Sequence, residues 1–162
     1  MIAPGVLGKH RDMEIDPVKA FELISVNSAS VTAWTLLAAN TLEAQRSGCL
    51  VVITSVAGLR GRASNYIYGS SKAQLIVLCE GLRCRLASSG VRVVDFRPGL
   101  VETPMTAGMK GGLMMASAKR VGAELAWAAE AGDGVVYSPK AWRGIMFVIC
   151  HIPFAIFKKM KF

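Results

Sequence analysis

Apolar and polar positions follow one another along this chain in blocks whose lengths suit helices and buried strands in turn. Asp16 stands directly before a proline, and a capping carboxylate followed by proline in the first turn is typical of a helix start. The spacing predicts a helix over Pro17–Gln45 that ends before Gly48. Asn27 and Ser28 fall in the middle of this helix, where we expect a bend.

A continuously apolar, β-branched run comes next. It extends over Cys49–Thr54 and predicts a strand buried on both faces, as in a parallel sheet. A loop rich in glycine, serine and asparagine follows over Ser55–Asn65, and a second helix is predicted over Tyr66–Ser88. The apolar positions of that helix form one stripe, made of Leu75, Leu78, Cys79, Leu82 and Leu86.

The rest of the pattern repeats the alternation of strand and helix. In order it predicts a strand at Val91–Phe96, a break at Pro98-Gly99, a flexible glycine- and methionine-rich segment at Thr106–Met115, a helix at Ser117–Ala131 and a strand at Val135–Tyr137. Helices that alternate with short apolar strands are typical of a doubly wound α/β layer with a parallel sheet.

Composition narrows the class of protein and of partner. The 162 residues are 52% hydrophobic, with a mean hydropathy of +0.41, which predicts a folded domain with a real core. The net charge of +8 suits anionic lipid or a phosphorylated small molecule. No run of lysine and arginine is interleaved with aromatic residues, so nucleic acid is not expected as a partner.

Cysteine and histidine usage points to a reducing compartment and to no metal site. The four cysteines show no CxxC pairing, and His10 and His151 are far apart in sequence, so we expect core-filling thiols and no zinc. The N-terminus has neither a basic start nor an apolar core segment, so no signal peptide is expected. A cytoplasmic location follows as the prediction.

The last residues differ from the rest. Residues 142–162 are nearly all apolar and then basic, ending in Lys158-Lys159-Met160-Lys161-Phe162. His151 and Pro153 interrupt the apolar stretch, which is too short to span a bilayer. Two readings stay open: an interfacial segment on the inner face of a membrane, and a C-terminal helix docked on the body or on a partner subunit.

The chemistry is carried by Tyr68 and Lys72, which lie four residues apart in the second predicted helix and so share one face. A nearby ammonium lowers the pKa of a phenol, which makes tyrosine usable as an acid-base. Ser55 lies thirteen residues before the tyrosine, directly after the buried strand, where its hydroxyl could hold a substrate oxygen. The pattern indicates proton transfer in alcohol/ketone interconversion.

With the Pro98-Gly99 break and Thr103 added, the chain resembles the short-chain dehydrogenase/reductase family over almost its whole length. The resemblance implies that Tyr68 is the general acid/base, that Lys72 lowers its pKa and binds the nicotinamide ribose, and that Ser55 orients the substrate oxygen. Asn27 matches the helix asparagine whose backbone holds a water in the proton relay. The implied cofactor is NAD(P)(H), with nicotinamide contacts from Pro98, Gly99, Val101 and Thr103.

Two departures from the family pattern accompany this resemblance. The glycine-rich Thr-Gly-x-x-x-Gly-x-Gly loop is absent, and Ile2-Ala3-Pro4-Gly5 keeps only the glycine of the family's Asn-Asn-Ala-Gly stretch. The expected fold is therefore a partial Rossmann-type doubly wound parallel sheet that lacks its first strands, over residues 1–139, with an amphipathic tail over 140–162. The strand at Cys49–Thr54 would then form an exposed edge.

The tail resembles a particular subgroup of the family. Val135-Val136-Tyr137-Ser138-Pro139, Trp142-Arg143 and His151-Ile152-Pro153 are similar to the reductases of decaprenylphosphoryl-2-keto-erythro-pentofuranose. This resemblance implies a lipid-linked keto-sugar as substrate; a soluble small molecule is the alternative.

Two functions of different class stay open on the sequence. One is an NAD(P)-dependent oxidoreductase. The other is a catalytically silent fragment, or a membrane-associated interaction module, because the dinucleotide phosphate loop is missing. A homo-oligomer is expected, since in this family the second predicted helix builds the dimer interface.

Overall fold

The computed structural model describes residues 1–108 and 112–160. Its helices are α1 (His10–Ile15), α2 (Pro17–Ile24), α3 (Val31–Gln45), α4 (Tyr66–Leu86), α5 (Ala118–Ala131), α6 (Ala141–His151) and α7 (Phe154–Phe157). Its strands are β1 (Gly48–Ile53), β2 (Val91–Pro98), β3 (Leu100–Glu102), β4 (Met115–Ser117) and β5 (Gly134–Ser138). The predicted α/β fold with a parallel sheet is confirmed.

The helix predicted over Pro17–Gln45 forms over that span, as α2 and α3. Asp16 caps α2 through a hydrogen bond that its side chain accepts from the Val18 backbone N–H. A π-helical turn over Ser25–Ser30 connects α2 to α3. This turn contains Asn27 and Ser28, the two residues at which a bend was predicted, because π turns locally interrupt the α-helical ladder.

The main sheet has the order β1-β2-β5, and all of its strands are parallel. Alternate residues of each strand face opposite layers. Leu50 and Val52 of β1 pack on one side with α3 and α4, while Val51 packs on the other side with α5. Helices therefore cover both faces of the sheet, as the apolar strand patterns predicted.

The apolar stripe of α4 points into this core. Leu75, Cys79, Leu82 and Leu86 are buried against β1 and β2, and burial raises the pKa of the Cys79 thiol to about 12. The stripe is thus buried within the chain. The most exposed apolar side chains of this layer are Trp34 and Leu37 on α3 and Val77 on α4. The expectation that all cysteines fill the core is wrong for Cys84 and Cys150, which are exposed.

β1 lies at the edge of the three-stranded sheet. Ile2 forms a single parallel bridge with Val52, in which the Ile2 N–H donates to the Val51 carbonyl and the Ile53 N–H donates to the Ile2 carbonyl, at 2.8 and 3.1 Å. The edge is therefore paired at this one point by the chain's own N-terminal segment.

Part of the segment predicted to be flexible, Thr106–Met115, forms short regular elements. Turns of 3-10 helix form at Pro104–Thr106 and Gly112–Met114, and β4 begins at Met115 and pairs with β3. Residues 109–111 of that segment lie outside the described residues.

The tail begins as a docked helix. Trp142 and Met146 of α6 are buried against Val56, which lies in the 3-10 turn after β1. Among the helices that the structure describes, none combines the length and the apolar character needed to cross a bilayer. The inner side of α6 thus follows the docked alternative, while its outer side faces solvent.

Candidate active site at the carboxyl edge of the sheet

Ser55 lies directly after β1, at the carboxyl edge of the sheet. The Thr54 N–H still pairs with the Phe96 carbonyl at 2.9 Å, so the ladder with β2 ends immediately before the serine. The Ser55 backbone is extended, and its hydroxyl accepts a hydrogen bond from the Ala57 N–H at 3.1 Å. This cap starts the 3-10 turn Val56–Gly58 and holds the serine at the end of the strand.

Two glycines let this turn lie directly on α4. A Cβ at Gly58 would meet the Ala73 nitrogen at 2.7 Å and the Lys72 carbonyl carbon at 2.8 Å. A Cβ at Gly69 would meet the Ala57 oxygen at 2.8 Å. In both cases an added Cβ would press on backbone atoms of the opposite element, which cannot rotate away. A larger residue at either position would therefore push the Ser55 turn away from the helix that carries Tyr68 and Lys72.

The structure brings Ser55 and Tyr68 together. Burial raises the pKa of the Tyr68 phenol, and the nearby Ser55 side chain opposes that rise without cancelling it. Lys72, which was expected to lower this pKa, is not among the causes of the shift: its Nζ lies 5.9 Å from the centroid of the Tyr68 ring. The phenol is therefore held in its protonated form, ready to donate a proton.

Lys72 is held one turn further along α4, only 4% exposed. Its ammonium donates to the Ile53 carbonyl at 3.2 Å, at the end of β1. Burial lowers the pKa of Lys72 to about 8. A buried ammonium with one protein acceptor keeps donor capacity for a ligand, since it carries three N–H groups.

Replacing Lys72 by Met is expected to stabilise the fold at neutral pH. The folded pKa lies below the unfolded one, so the unfolded chain binds more protons and stability rises with pH from about 8 to 10.5. We expect the variant to exceed the parent by up to about 3 kcal/mol in free energy of unfolding at pH 7, the energy of the pKa shift. The gain should fade across that pH range in denaturant titrations.

Lys9→Met is the matched control for this prediction, because Lys9 is exposed and its replacement removes a charge without removing a buried one. A gain from Lys72→Met that stayed constant from pH 7 to 10.5, or was matched by Lys9→Met, would show that burial of the ammonium is not its origin.

Asn27 ties the N-terminal segment to α4. Its side chain accepts from the Val6 N–H and donates to the Val6 carbonyl, both at 2.7 Å, and donates to the Ser71 hydroxyl at 3.3 Å. Gly5 lies beside this contact: a Cβ there would lie 3.4 Å from the Lys72 ammonium. The asparagine side chain is thus a structural tie, and the relay role implied by the resemblance concerns its backbone and stays a prediction.

The residues expected to contact nicotinamide lie along the exit of β2. Pro98 ends the strand, and the Gly99 N–H donates to the Ser138 carbonyl at 2.9 Å. Trp142 covers Gly99 so closely that a Cβ there would lie 1.8 Å from its indole nitrogen. Val101 lies in β3, and Thr103 precedes the turn Pro104–Thr106. Their contact with a cofactor stays a prediction.

A polar network beneath the site was not foreseen from the sequence. Asp95 of β2 is fully buried; its carboxylate accepts from the Thr54 hydroxyl at 2.5 Å and from Arg97 Nε at 2.7 Å. Arg97 also donates to the Tyr137 hydroxyl at 3.1 Å. The network links the ends of all three main strands next to Ser55. Its signal in the sequence was the pair Asp95 and Arg97, two of the three charged residues of β2.

The described residues fit one half of a dinucleotide cofactor. Lys72 offers a buried ammonium with spare donors, and Gly5 leaves open the space beside it. These features suit a nicotinamide ribose, whose hydroxyls accept hydrogen bonds. The 162 residues contain no glycine-rich phosphate loop for the other half of the cofactor. Among the described residues no cluster of three or more His, Cys, Asp or Glu side chains could hold a metal ion.

A family model and several known proteins are similar to this chain in sequence. A family model described as short chain dehydrogenase matches residues 3–112. An uncharacterized oxidoreductase of Mycobacterium tuberculosis is 37% identical over 161 residues, covering 99% of this chain and 64% of the relative. One from Streptomyces coelicolor is 32% identical over 157 residues, covering 96% of this chain and 62% of the relative. This chain thus spans under two thirds of their length.

Two solved structures are similar in fold. A 3-oxoacyl-[acyl-carrier protein] reductase from Brucella melitensis in complex with NAD has a TM-score of 0.69 and 25% identity, covering 82% of this chain and 61% of its own. A short-chain dehydrogenase from Sphingobium yanoikuyae in complex with NADPH has a TM-score of 0.73 and 19% identity, covering 97% of this chain and 62% of its own.

Proposed function

The chain belongs to the short-chain dehydrogenase family, and on that basis we propose that it forms the substrate and nicotinamide side of an NAD(P)-dependent oxidoreductase that interconverts ketones and alcohols. The observation that carries the proposal is that the Ser55 hydroxyl, at the end of β1, and the Tyr68 phenol lie beside the buried Lys72 ammonium. Neighbours in complex with NAD and with NADPH support the cofactor class.

In the proposed reaction the cofactor, when bound, supplies or accepts the hydride. The Ser55 hydroxyl binds the carbonyl oxygen of the ketone, and Tyr68 donates a proton to that oxygen as the alcohol forms. Because burial raises the pKa of Tyr68, the phenol carries its proton at neutral pH and is in the donor form before reduction. Lys72 would hold the nicotinamide ribose, and the backbone of Asn27 would hold the water through which the phenolate regains a proton from solvent.

A second candidate function follows from one sequence observation, the absence of a glycine-rich phosphate loop in these 162 residues. The chain by itself would then be catalytically silent, or serve as an interaction module. The two candidates differ in whether the chain binds a nicotinamide cofactor.

Titration of the chain with NADH and NADPH, followed by cofactor fluorescence, separates the two candidates. We expect saturable binding that Lys72→Met weakens by at least tenfold, the ratio expected when a ligand loses a charge-assisted hydrogen bond worth about 1.5–3 kcal/mol. Lys9→Gln, at an exposed position, should bind like the parent. A signal that rises linearly with cofactor, equally in all three proteins, would favour the silent module.

Finer features of the function rest on the tail and on the helix layer. We propose a keto-sugar carried on a polyprenyl phosphate as substrate, as in the subgroup that residues 135–159 resemble, and a cytoplasmic protein in peripheral contact with a membrane through residues 142–162. We also propose a homo-oligomer that buries Trp34, Leu37 and Val77, the exposed apolar side chains of α3 and α4.

A further inference from the structure

Helices α6 and α7 present a solvent-facing surface that is both apolar and basic. Phe147 and Phe154 are 66% and 72% exposed. We name this surface the tail face and define it by the exposed apolar side chains Phe147, Val148, Phe154 and Ile156 and the exposed cations Lys140, Arg143, Lys158 and Lys159. Large apolar side chains grouped with cations mark an interaction surface.

The outward position of these side chains is held by contacts on the opposite side of the tail. Trp142 and Met146 are buried, and Phe157 lies under the Arg60 guanidinium at 4.1 Å. Arg60 also donates to the carbonyls of Ile149 and Ile152, at 2.9 and 2.7 Å, where α6 ends. The inner side chains are therefore satisfied within the chain, and the tail face is what remains for a partner.

The charge of this surface has one sign. From Pro139 to the C-terminus the sequence contains no aspartate or glutamate. Within residues 1–108 and 112–160, no carboxylate lies within 4.0 Å of the four cations of the tail face; Lys140 lies over the ring of Trp127 instead. A surface that combines exposed apolar side chains with exposed cations suits a partner that is apolar inside and anionic outside.

We propose that the tail face binds an anionic phospholipid membrane. The phenylalanines would insert at the depth of the headgroups, and the cations would lie against lipid phosphates. A second copy of the chain fits less well, because in a two-fold interface the tail face would meet itself and place like charges together. Nucleic acid also fits less well, because its charged backbone offers no apolar surface to the aliphatic side chains Val148 and Ile156.

A cavity beside α6 could accommodate a phospholipid headgroup. It has a volume of about 620 Å³ and is lined by basic and aromatic side chains, including Lys140, Arg143, Phe147, His151 and Tyr137. Two lysine or arginine charges on one wall suit the phosphate of a lipid that is anchored beside them by its acyl chains. The proposal assigns this cavity to the phosphate group of a membrane phospholipid.

The tail face is joined to the candidate active site through one helix. On its inner side α6 contacts Val56, next to Ser55, and Gly99, next to Pro98. A membrane bound at the tail face would therefore lie one helix away from the carboxyl edge of the sheet. If the proposed oxidoreductase acts on a lipid-linked substrate, this arrangement brings the two together; binding of the membrane itself does not depend on that activity.

Co-sedimentation of the full chain with lipid vesicles tests the proposal without reference to catalysis. We expect pelleting with equimolar phosphatidylcholine and phosphatidylglycerol and little with phosphatidylcholine alone. The double variant Arg143→Gln/Lys158→Gln should lower the partition coefficient on the order of 30-fold, the ratio that about 1 kcal/mol for each cation gives. Phe147→Ser/Phe154→Ser should lower it as well, with circular dichroism unchanged.

Matched controls use residues of α2 and the segment before it. Phe21 is 70% exposed, and Lys9 and Lys19 are exposed cations, so Phe21→Ser removes one exposed ring elsewhere and Lys9→Gln/Lys19→Gln removes two exposed cations elsewhere. Both should pellet like the parent. Equal pelleting with neutral and anionic vesicles would overturn the proposal, and so would control variants that bind vesicles as weakly as the tail variants. Tail variants that leave vesicle binding unchanged and alter only the mass of the protein in solution would overturn it as well, and would indicate a second copy as the occupant.

Discussion

Replacing Tyr68 by Phe is expected to lower the rate of ketone reduction by about 10²–10⁴-fold, the range for loss of a general acid. The change removes the phenol oxygen and keeps the ring, so the packing of α4 and the contact of Lys72 with the Ile53 carbonyl should persist. The measurement is cofactor oxidation with a panel of ketones, in the longest form of the protein that contains this chain and turns over.

Tyr66→Phe is the control for this prediction. Tyr66 lies two residues earlier on α4, is exposed, and donates its hydroxyl hydrogen to Glu14 at 3.2 Å rather than to Ser55. We expect Tyr66→Phe to keep turnover within a few-fold of the parent. Parent-like turnover in Tyr68→Phe, or an equal loss in both variants, would contradict the acid role assigned to Tyr68.

The direction of the Tyr68 pKa shift adds a pH signature to the same experiment. Because burial raises this pKa above 10, deprotonation of the phenol should not limit reduction at or below pH 9. A fall in the reduction rate below that pH would then have to come from another group, and Lys72, with a pKa of about 8, is the one next to the site.

Replacing Asp95 by Asn is expected to destabilise the fold by about 3–5 kcal/mol, the range for breaking one side of a buried ion pair. Asp95 is fully buried and Arg97 nearly so, and the carboxylate accepts from Arg97 and from Thr54. The asparagine side chain leaves the guanidinium without its counter-charge. Denaturant unfolding at neutral pH measures the loss.

Two comparisons separate this effect from a general cost of substitution. Glu43→Gln removes the ion pair with Arg85, whose side chains are 34% (Glu43) and 40% (Arg85) exposed. Because the pair is exposed, this change should cost at most about 1 kcal/mol of the free energy of unfolding. The double variant Asp95→Asn/Arg97→Met removes the unpaired charge and should recover part of the stability lost in the single variant. A single variant no less stable than Glu43→Gln would show that the network contributes little.

The helices and strands followed from local features of the sequence. The Asp16 cap and the continuously apolar, β-branched run of β1 before Ser55 each indicate the local structure within a few residues. The bend at Asn27 and Ser28 was likewise predicted, because polar residues in the middle of a long helix indicate an interruption.

The supporting residues of the site did not follow in this way. Asp95 and Arg97 could be flagged as neighbouring charges of β2, but the partner Thr54, 41 residues away, became evident only when β1 and β2 were placed side by side. The tie between Asn27 and the Val6 backbone joins segments 21 residues apart, and Arg60 reaches carbonyls about 90 residues away. Spacing along the chain carries no information about such contacts.

The sequence alone determined the α/β class, the parallel sheet, the family and the three candidate side chains Ser55, Tyr68 and Lys72. These features depend on periodicity and on short motifs, which are local and can be read without the tertiary structure. Tertiary structure decided what those side chains experience. Burial raises the pKa of Tyr68 and lowers that of Lys72, so burial, and not the lysine charge, sets the direction of the phenol's shift. Tertiary packing also divided the tail into a docked inner side and an exposed basic and apolar outer side, since solvation of a charge depends on all the chain that surrounds it.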